Sequence, residues 1–150
     1  GLGYNRRGLN LWKAMQYIAD QRMVRKDKNY FPSTEEELLS LPGVGYYTAH
    51  AVMAFAYNAE APVLDINIKR VLITELALDP AISDKDLRAL AQTLIPVGKS
   101  RERHNALMDY GALVLTSKKT GIRSAPQSQF VGSTRWVRGN LIKYLIKNKK

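Results

Sequence analysis

The sequence predicts an all-α fold, on three observations. Apolar residues recur at helical spacing in six stretches before residue 116. Capping residues open several of these stretches, and no pair of runs alternates apolar and polar residues around a tight turn as a strand hairpin would.

Residues 7–23 carry Leu9, Trp12, Met15, Ile18 and Ala19 on one face of an amphipathic helix. A basic loop follows to Phe31. Ser33 with Glu36, or Thr34 with Glu37, then makes a reciprocal cap for a short helix to about Ser40, with acids in its first turn favouring the helix dipole. Leu41-Pro42-Gly43-Val44-Gly45 interrupts it, because proline cannot continue a helix and the two glycines permit a tight turn. A small-residue helix over 46–57 places Ala49, Val52, Met53 and Ala56 on one face. Asp65 is placed to cap a helix from Ile66 to about Leu78, Ser83 one to Ile95, and Ser100 one to Leu115. Residues 116–134 mix Ser, Thr, Lys, Gly and Pro and predict an irregular wrap. A last helix from about Arg135 turns Val137, Leu141, Tyr144 and Leu145 inward and keeps Arg138, Lys143, Lys147, Lys149 and Lys150 outside. At 150 residues without an internal repeat, one domain is expected.

The 23 Lys and Arg against 13 Asp and Glu leave a net charge of +10, which attracts polyanions and makes nucleic acid the first partner to consider. No cysteine is present, so disulfides, thiolate nucleophiles and cysteine-ligated metals are excluded within this chain. No apolar stretch approaches the roughly 20 residues a spanning helix needs, and the first residues do not resemble a signal peptide. An intracellular monomer of the cytoplasm or nucleoid, with no membrane association, is expected. No metal site is expected either: His50 and His104 have no matching ligand partner and suit packing or a polar surface better than catalysis.

Chemistry concentrates at the interrupted helix pair. Amides around Gly43 and Gly45, with those opening the second helix, can hydrogen-bond a phosphate without reading base sequence. Alone, such a turn is also an ordinary structural turn. Asp65 lies twenty positions beyond Gly45, at the head of the next helix, where it either caps or acts as a carboxylate. Lys69 and Arg70, close behind, either contact phosphate or hold the Asp65 region by charge pairing.

Leu41-Pro42-Gly43-Val44-Gly45, then Thr48-Ala49, then the run from Pro62 through Asp65 to Val71, resembles the endonuclease III superfamily of helix-hairpin-helix DNA glycosylases. Gly1-Leu2-Gly3-Tyr4 with Arg6 and Arg7, and Met108-Asp109-Tyr110-Gly111-Ala112, match further elements of it, in order, over residues 1–115. The resemblance implies that this chain grips duplex DNA through Leu41, Pro42, Gly43, Val44, Gly45, Tyr46, Thr48, Lys69 and Arg70. It implies that Asp65 faces the sugar of a flipped, mispaired nucleotide, where a carboxylate stabilises oxocarbenium-like charge. Tyr47 stands where bifunctional members carry a lysine; a phenol forms no Schiff base, so a monofunctional enzyme is expected, although Tyr47 also suits aromatic packing. The adenine and thymine branches both match in parts, leaving adenine, or thymine and uracil opposite guanine, open as the target. The family's four cluster cysteines fall on Leu115, Ile122, Ala125 and Val131, so no iron–sulfur cluster is expected and residues 116–150 form a cysteine-free replacement for that region. The resemblance admits a monovalent cation at the hairpin. It also implies helices ahead of Gly1 that carry a strand-inserting Gln and, in the adenine branch, a proton-donating Glu; their absence here opens a rival reading as a non-catalytic DNA-binding module. A basic protein-interaction domain is the third reading.

Overall fold

The computed structural model describes residues 5–123 and 129–148, with Asn5 and Arg135 described by their backbone only. The Gly-Leu-Gly-Tyr element at 1–4, Ala125, and Lys149 and Lys150 lie outside the described residues. Among those described there is no strand.

Helix α1 (Asn5–Arg25) is followed by α2 (Glu35–Leu39), α3 (Tyr46–Ala56), α4 (Ile66–Glu75), α5 (Asp84–Thr93), α6 (Ser100–Leu113), α7 (Ser117–Thr120) and α8 (Thr134–Lys147). Caps set several of these starts. The Thr34 hydroxyl accepts from the Glu37 amide, Asp65 from Ile68, Ser83 from Asp86 and Ser133 from Trp136, each satisfying one donor that the helix itself leaves open. Ser100 does not cap α6, as expected from sequence; it lies inside the helix, fully buried, and Lys99 takes the flanking position without a side-chain bond.

The core has two clusters. Ala14 and Ile18 of α1 meet Leu38, Leu41 and Ala49. Ile68, Leu72 and Ile73 of α4 meet Leu87 and Ala91 of α5, with Leu107, Met108 and Ile122 packed against them. Helix α3 contacts both α2 and α6 and so joins the two.

Three apolar faces differ from the sequence expectation. On α1 only Ala14 and Ile18 are buried, while Leu9, Trp12 and Met15 are about half exposed. Asn10, Ala14 and Ile18, spaced four apart, face the hairpin, and the other positions of the expected stripe lie off that line. On α3 the buried positions are Ala49, His50 and Ala54; Val52 and Met53 are half-buried and Ala56 is exposed, because the helix is packed from two sides. On α8, Val137, Leu141, Tyr144 and Leu145 are each more than half exposed. Both core clusters close without it, the second being completed by Ile122 from the segment after α7. No helix among the described residues is long and apolar enough to cross a membrane.

Candidate nucleic-acid interface and carboxylate site

The hairpin starts from a well-anchored α2. Glu37 returns to the Ser33 amide at 3.1 Å through Oε2, while Oε1 accepts from the Tyr30 hydroxyl at 3.2 Å and Arg25 at 3.4 Å. Its carboxyl is held below its ordinary value, chiefly by the Ser33 amide, which favours the charged form. The expected reciprocal cap therefore forms with Thr34 as acceptor and Ser33 as the returned donor.

After Ser40 the chain turns tightly, the Val44 amide donating to the Leu41 carbonyl at 3.1 Å. Gly43 has φ +79°, and a Cβ there would lie 2.5 Å from Asn10 Nδ2 and 2.7 Å from Asn10 Cβ on α1. Only glycine meets both conditions. Gly45 is extended and has open space around it, and it precedes α3 without a side-chain cap. The first-turn amides of Tyr46, Tyr47 and Thr48 consequently find no acceptor among the described residues. Gly43, Gly45 and Thr48 are exposed, Pro42 and Val44 half-buried, and Tyr46 and Tyr47 about half exposed. This is a concentration of free donors at the positive end of an eleven-residue helix, suited to an anionic oxygen. Leu41 belongs to it by sequence only: its side chain is 5% exposed in the core, and the turn requires that burial. Tyr46 stacks edge-on against His50 and lies under Arg88, whose guanidinium carbon is 5.2 Å from the ring centroid. Tyr47 makes no side-chain hydrogen bond among the described residues.

Asp65 is half-buried at the head of α4 with extended backbone. Oδ1 accepts from the Ile68 amide at 2.7 Å and Oδ2 from Asn67 Nδ2 at 3.0 Å. Asn67 in turn offers Oδ1 to Arg70 Nη1 at 3.1 Å, and Arg70 donates to the carbonyls of Gly111 at 2.7 Å, Ile122 at 3.1 Å and Leu115 at 3.3 Å. Arg70 is 5% exposed, so the phosphate contact expected of it is replaced by an internal one: its Nε and Nη1 donate to three backbone carbonyls and Asn67. Lys69 likewise points to Asp84, with Nζ 2.6 Å from Oδ1, and this bond holds the Asp84 carboxyl below its usual range. Of the two readings of this basic pair, Arg70 takes the one that organises the Asp65 region.

Asn67, Gly111 and Asn10 escaped the sequence reading. A Cβ on Gly111 would lie 2.5 Å from the Asn67 carbonyl oxygen, so this glycine permits the close α4–α6 crossing through which Arg70 reaches its acceptors. The signals available were the Asp-x-Asn spacing at 65 and 67 and the place of Gly111 in a matched element, to which no role was attached; Asn10 gave none.

The family's iron–sulfur cluster does not fit the residues present. Leu115 and Ile122 offer no thiolate, and the Arg70 guanidinium binds both of their carbonyls. Ile122 packs on the second core cluster as expected, but Val131 is 67% exposed, so the expected miniature core does not extend to it. Among the described residues no group of His, Cys, Asp or Glu is placed to hold a metal ion.

An all-helical chain in which a glycine turn joins two helices and a carboxylate heads the next defines the helix-hairpin-helix class. The helix-hairpin-helix motif model matches residues 28–55. Adenine DNA glycosylase of Mycolicibacterium smegmatis is 33% identical over 165 residues, covering 96% of this chain and 55% of that protein. Thymine/uracil-DNA glycosylase of Methanothermobacter thermautotrophicus is 34% identical over 116 residues, covering 75% of this chain and 52% of that protein. The structure of a thermostable thymine-DNA glycosylase superposes with a TM-score of 0.53 at 31% identity, over 69% of this chain and 49% of that one. The chain is similar to endonuclease III-type helix-hairpin-helix DNA glycosylases across most of its length. It spans about half the length of the relatives just named.

Proposed function

We propose that this chain carries the hairpin and the catalytic carboxylate of a base-excision DNA glycosylase. The hairpin grips one strand of duplex DNA through the amides of Gly43, Gly45, Tyr46 and Thr48, with the basic surface supplying salt-dependent affinity. The Val44 amide is held by the Leu41 carbonyl and shapes the turn. Asp65 faces the sugar of a flipped, mispaired base, either adenine or thymine and uracil opposite guanine. As the C1′–N bond breaks, the electron pair leaves with the base, and the Asp65 carboxylate stabilises the positive sugar. Water then adds at C1′ and its proton ends on the departed base, which left with the bonding pair, so that one water is consumed for each free base and abasic site formed. Tyr47 supplies no amine for a Schiff base, and the enzyme is monofunctional. This chemistry calls on no iron–sulfur cluster and leaves room for a monovalent cation at the hairpin.

The observation that carries the reading is the half-buried Asp65 carboxylate fixed at the head of α4, one helix beyond a glycine hairpin with unpaired amides. One observation favours the rival, a non-catalytic DNA-binding module: both oxygens of Asp65 already accept hydrogen bonds within the chain. The test is base release from duplexes holding a G·A, G·T or G·U pair, by the wild type and Asp65→Asn. Asparagine keeps a carbonyl for the Ile68 amide, so the cap survives, while release should fall by a factor on the order of 10²–10³. Salt-dependent binding with no release by either protein establishes the module instead.

A further inference from the structure

One peptide plane ahead of Asp65 is held at both ends by imidazoles. His50 Nδ1 lies 2.9 Å from the Pro62 carbonyl oxygen, and the Val63 amide lies 3.1 Å from His104 Nε2. These are the acceptor and the donor of a single peptide unit. Both rings are buried, at 5% and 0% exposure, as are Pro62 and Val63.

The partners dictate the protons. A carbonyl only accepts, so His50 carries hydrogen on Nδ1, and its Nε2 faces Glu35 Oε2 at 3.0 Å. A backbone N–H only donates, so His104 Nε2 is bare, and Nδ1 carries the hydrogen to the Ser100 carbonyl at 2.7 Å. The two rings thus play complementary parts, His50 donating to the carbonyl of this peptide and His104 accepting from its amide.

The segment between α3 and α4 needs such partners. It is buried at Ala61, Pro62 and Val63 without a sheet neighbour; the Ala61 amide donates to the Ala59 carbonyl, whereas the Pro62 carbonyl and the Val63 amide are met by side chains. We propose that His50 and His104 are positioning residues that clamp the Pro62–Val63 peptide and thereby fix the head of α4 and the Asp65 carboxylate. The functional arm of this proposal rests on the glycosylase reading; the geometric arm does not.

The test uses the whole chain. Nitrogen-15 NMR of the rings near neutral pH should show His104 protonated on Nδ1 alone and His50 carrying hydrogen on Nδ1. In His104→Phe the Val63 amide, and the Ile68 amide capped by Asp65, should exchange with solvent about tenfold faster or more, the loss expected when a buried donor is left unmet. His104→Gln, whose side chain again offers an acceptor and a donor, should restore protection, which separates the clamp from general loosening. With mismatch duplex as substrate, His104→Phe should lower kcat on the order of tenfold to a hundredfold while KM holds. A His104 ring protonated on Nε2, or unchanged Val63 and Ile68 exchange in His104→Phe, overturns the proposal. If exchange and ring states behave as expected but the wild type releases no base, the clamp stands and the glycosylase reading fails. Accelerated exchange with unaltered kcat overturns the link to Asp65.

Discussion

Replacing Gly43 with alanine tests whether the hairpin's height is set by α1. The methyl group meets two separate penalties. The first is φ +79°, a left-handed conformation that costs an L-residue roughly 1–2 kcal/mol. The second is overlap with Asn10, whose Nδ2, Cβ and Cγ would lie 2.5, 2.7 and 2.9 Å away. Nδ2 can swing aside, but Cβ moves only with the α1 backbone, so the helix itself must give way, at a cost of about 1–3 kcal/mol. Alanine also restricts the unfolded chain, which returns roughly 0.4–1 kcal/mol. The expected net loss is about 2–4 kcal/mol, measured as a shift in denaturation midpoint at constant slope, together with weaker binding to duplex DNA. Asn10→Gly removes the Cβ, and the cycle of single and double variants should recover the overlap component and leave the φ component. A Gly43→Ala loss below about 0.5 kcal/mol, or a zero coupling energy with Asn10, would refute the reasoning.

Two further outcomes follow from the buried polar groups. Arg70→Lys cannot span the carbonyls of Gly111, Leu115 and Ile122 together with Asn67, so it should destabilise by about 2–4 kcal/mol and leave the salt dependence of DNA binding unchanged. A fall of about one in the slope of log affinity against log salt would return Arg70 to the phosphate role expected from sequence. His104 is held below its ordinary value of 6.5, first by burial and then by the charge of Arg103, with the Ser100 carbonyl acting in the opposite direction. The unfolded chain therefore takes up this proton before the folded chain does. Stability should be full above about 6.5 and decline as pH falls toward the lowered folded value, a slope that His104→Gln removes. Glu37 and Asp84, both lowered carboxyls, lose their contributions in a separate window below their ordinary values of 4.5 and 3.8, which the variant leaves in place.

The features legible in the sequence were those governed by neighbours within four residues. The caps at Thr34, Asp65 and Ser83, and the glycine turn, arise from short-range chemistry that leaves a pattern. Pairings across the fold left none. Arg70 finds its acceptors 41 to 52 positions away, so a basic residue near a candidate site looked like a phosphate ligand until the α4–α6 crossing was seen. His104 answers an amide 41 positions earlier, and nothing local distinguishes it from any other buried histidine. Apolar periodicity was informative about helix existence but poor about which face is covered: the α8 stripe has helical spacing and yet lies open. Periodicity records what a helix could bury, and the closure of the core by other elements decides what it does bury.

The seal that Asp65 places on the first turn of α4 shapes how the position can drift. Alanine there would unfasten the helix by roughly 0.5–2 kcal/mol, a penalty selection sees whatever the protein does. Asparagine, a single nucleotide away from either aspartate codon, preserves the fastening and removes the charge. Descendants that abandon base release should therefore carry asparagine at 65 far more often than alanine, keeping a sound fold around a silent site.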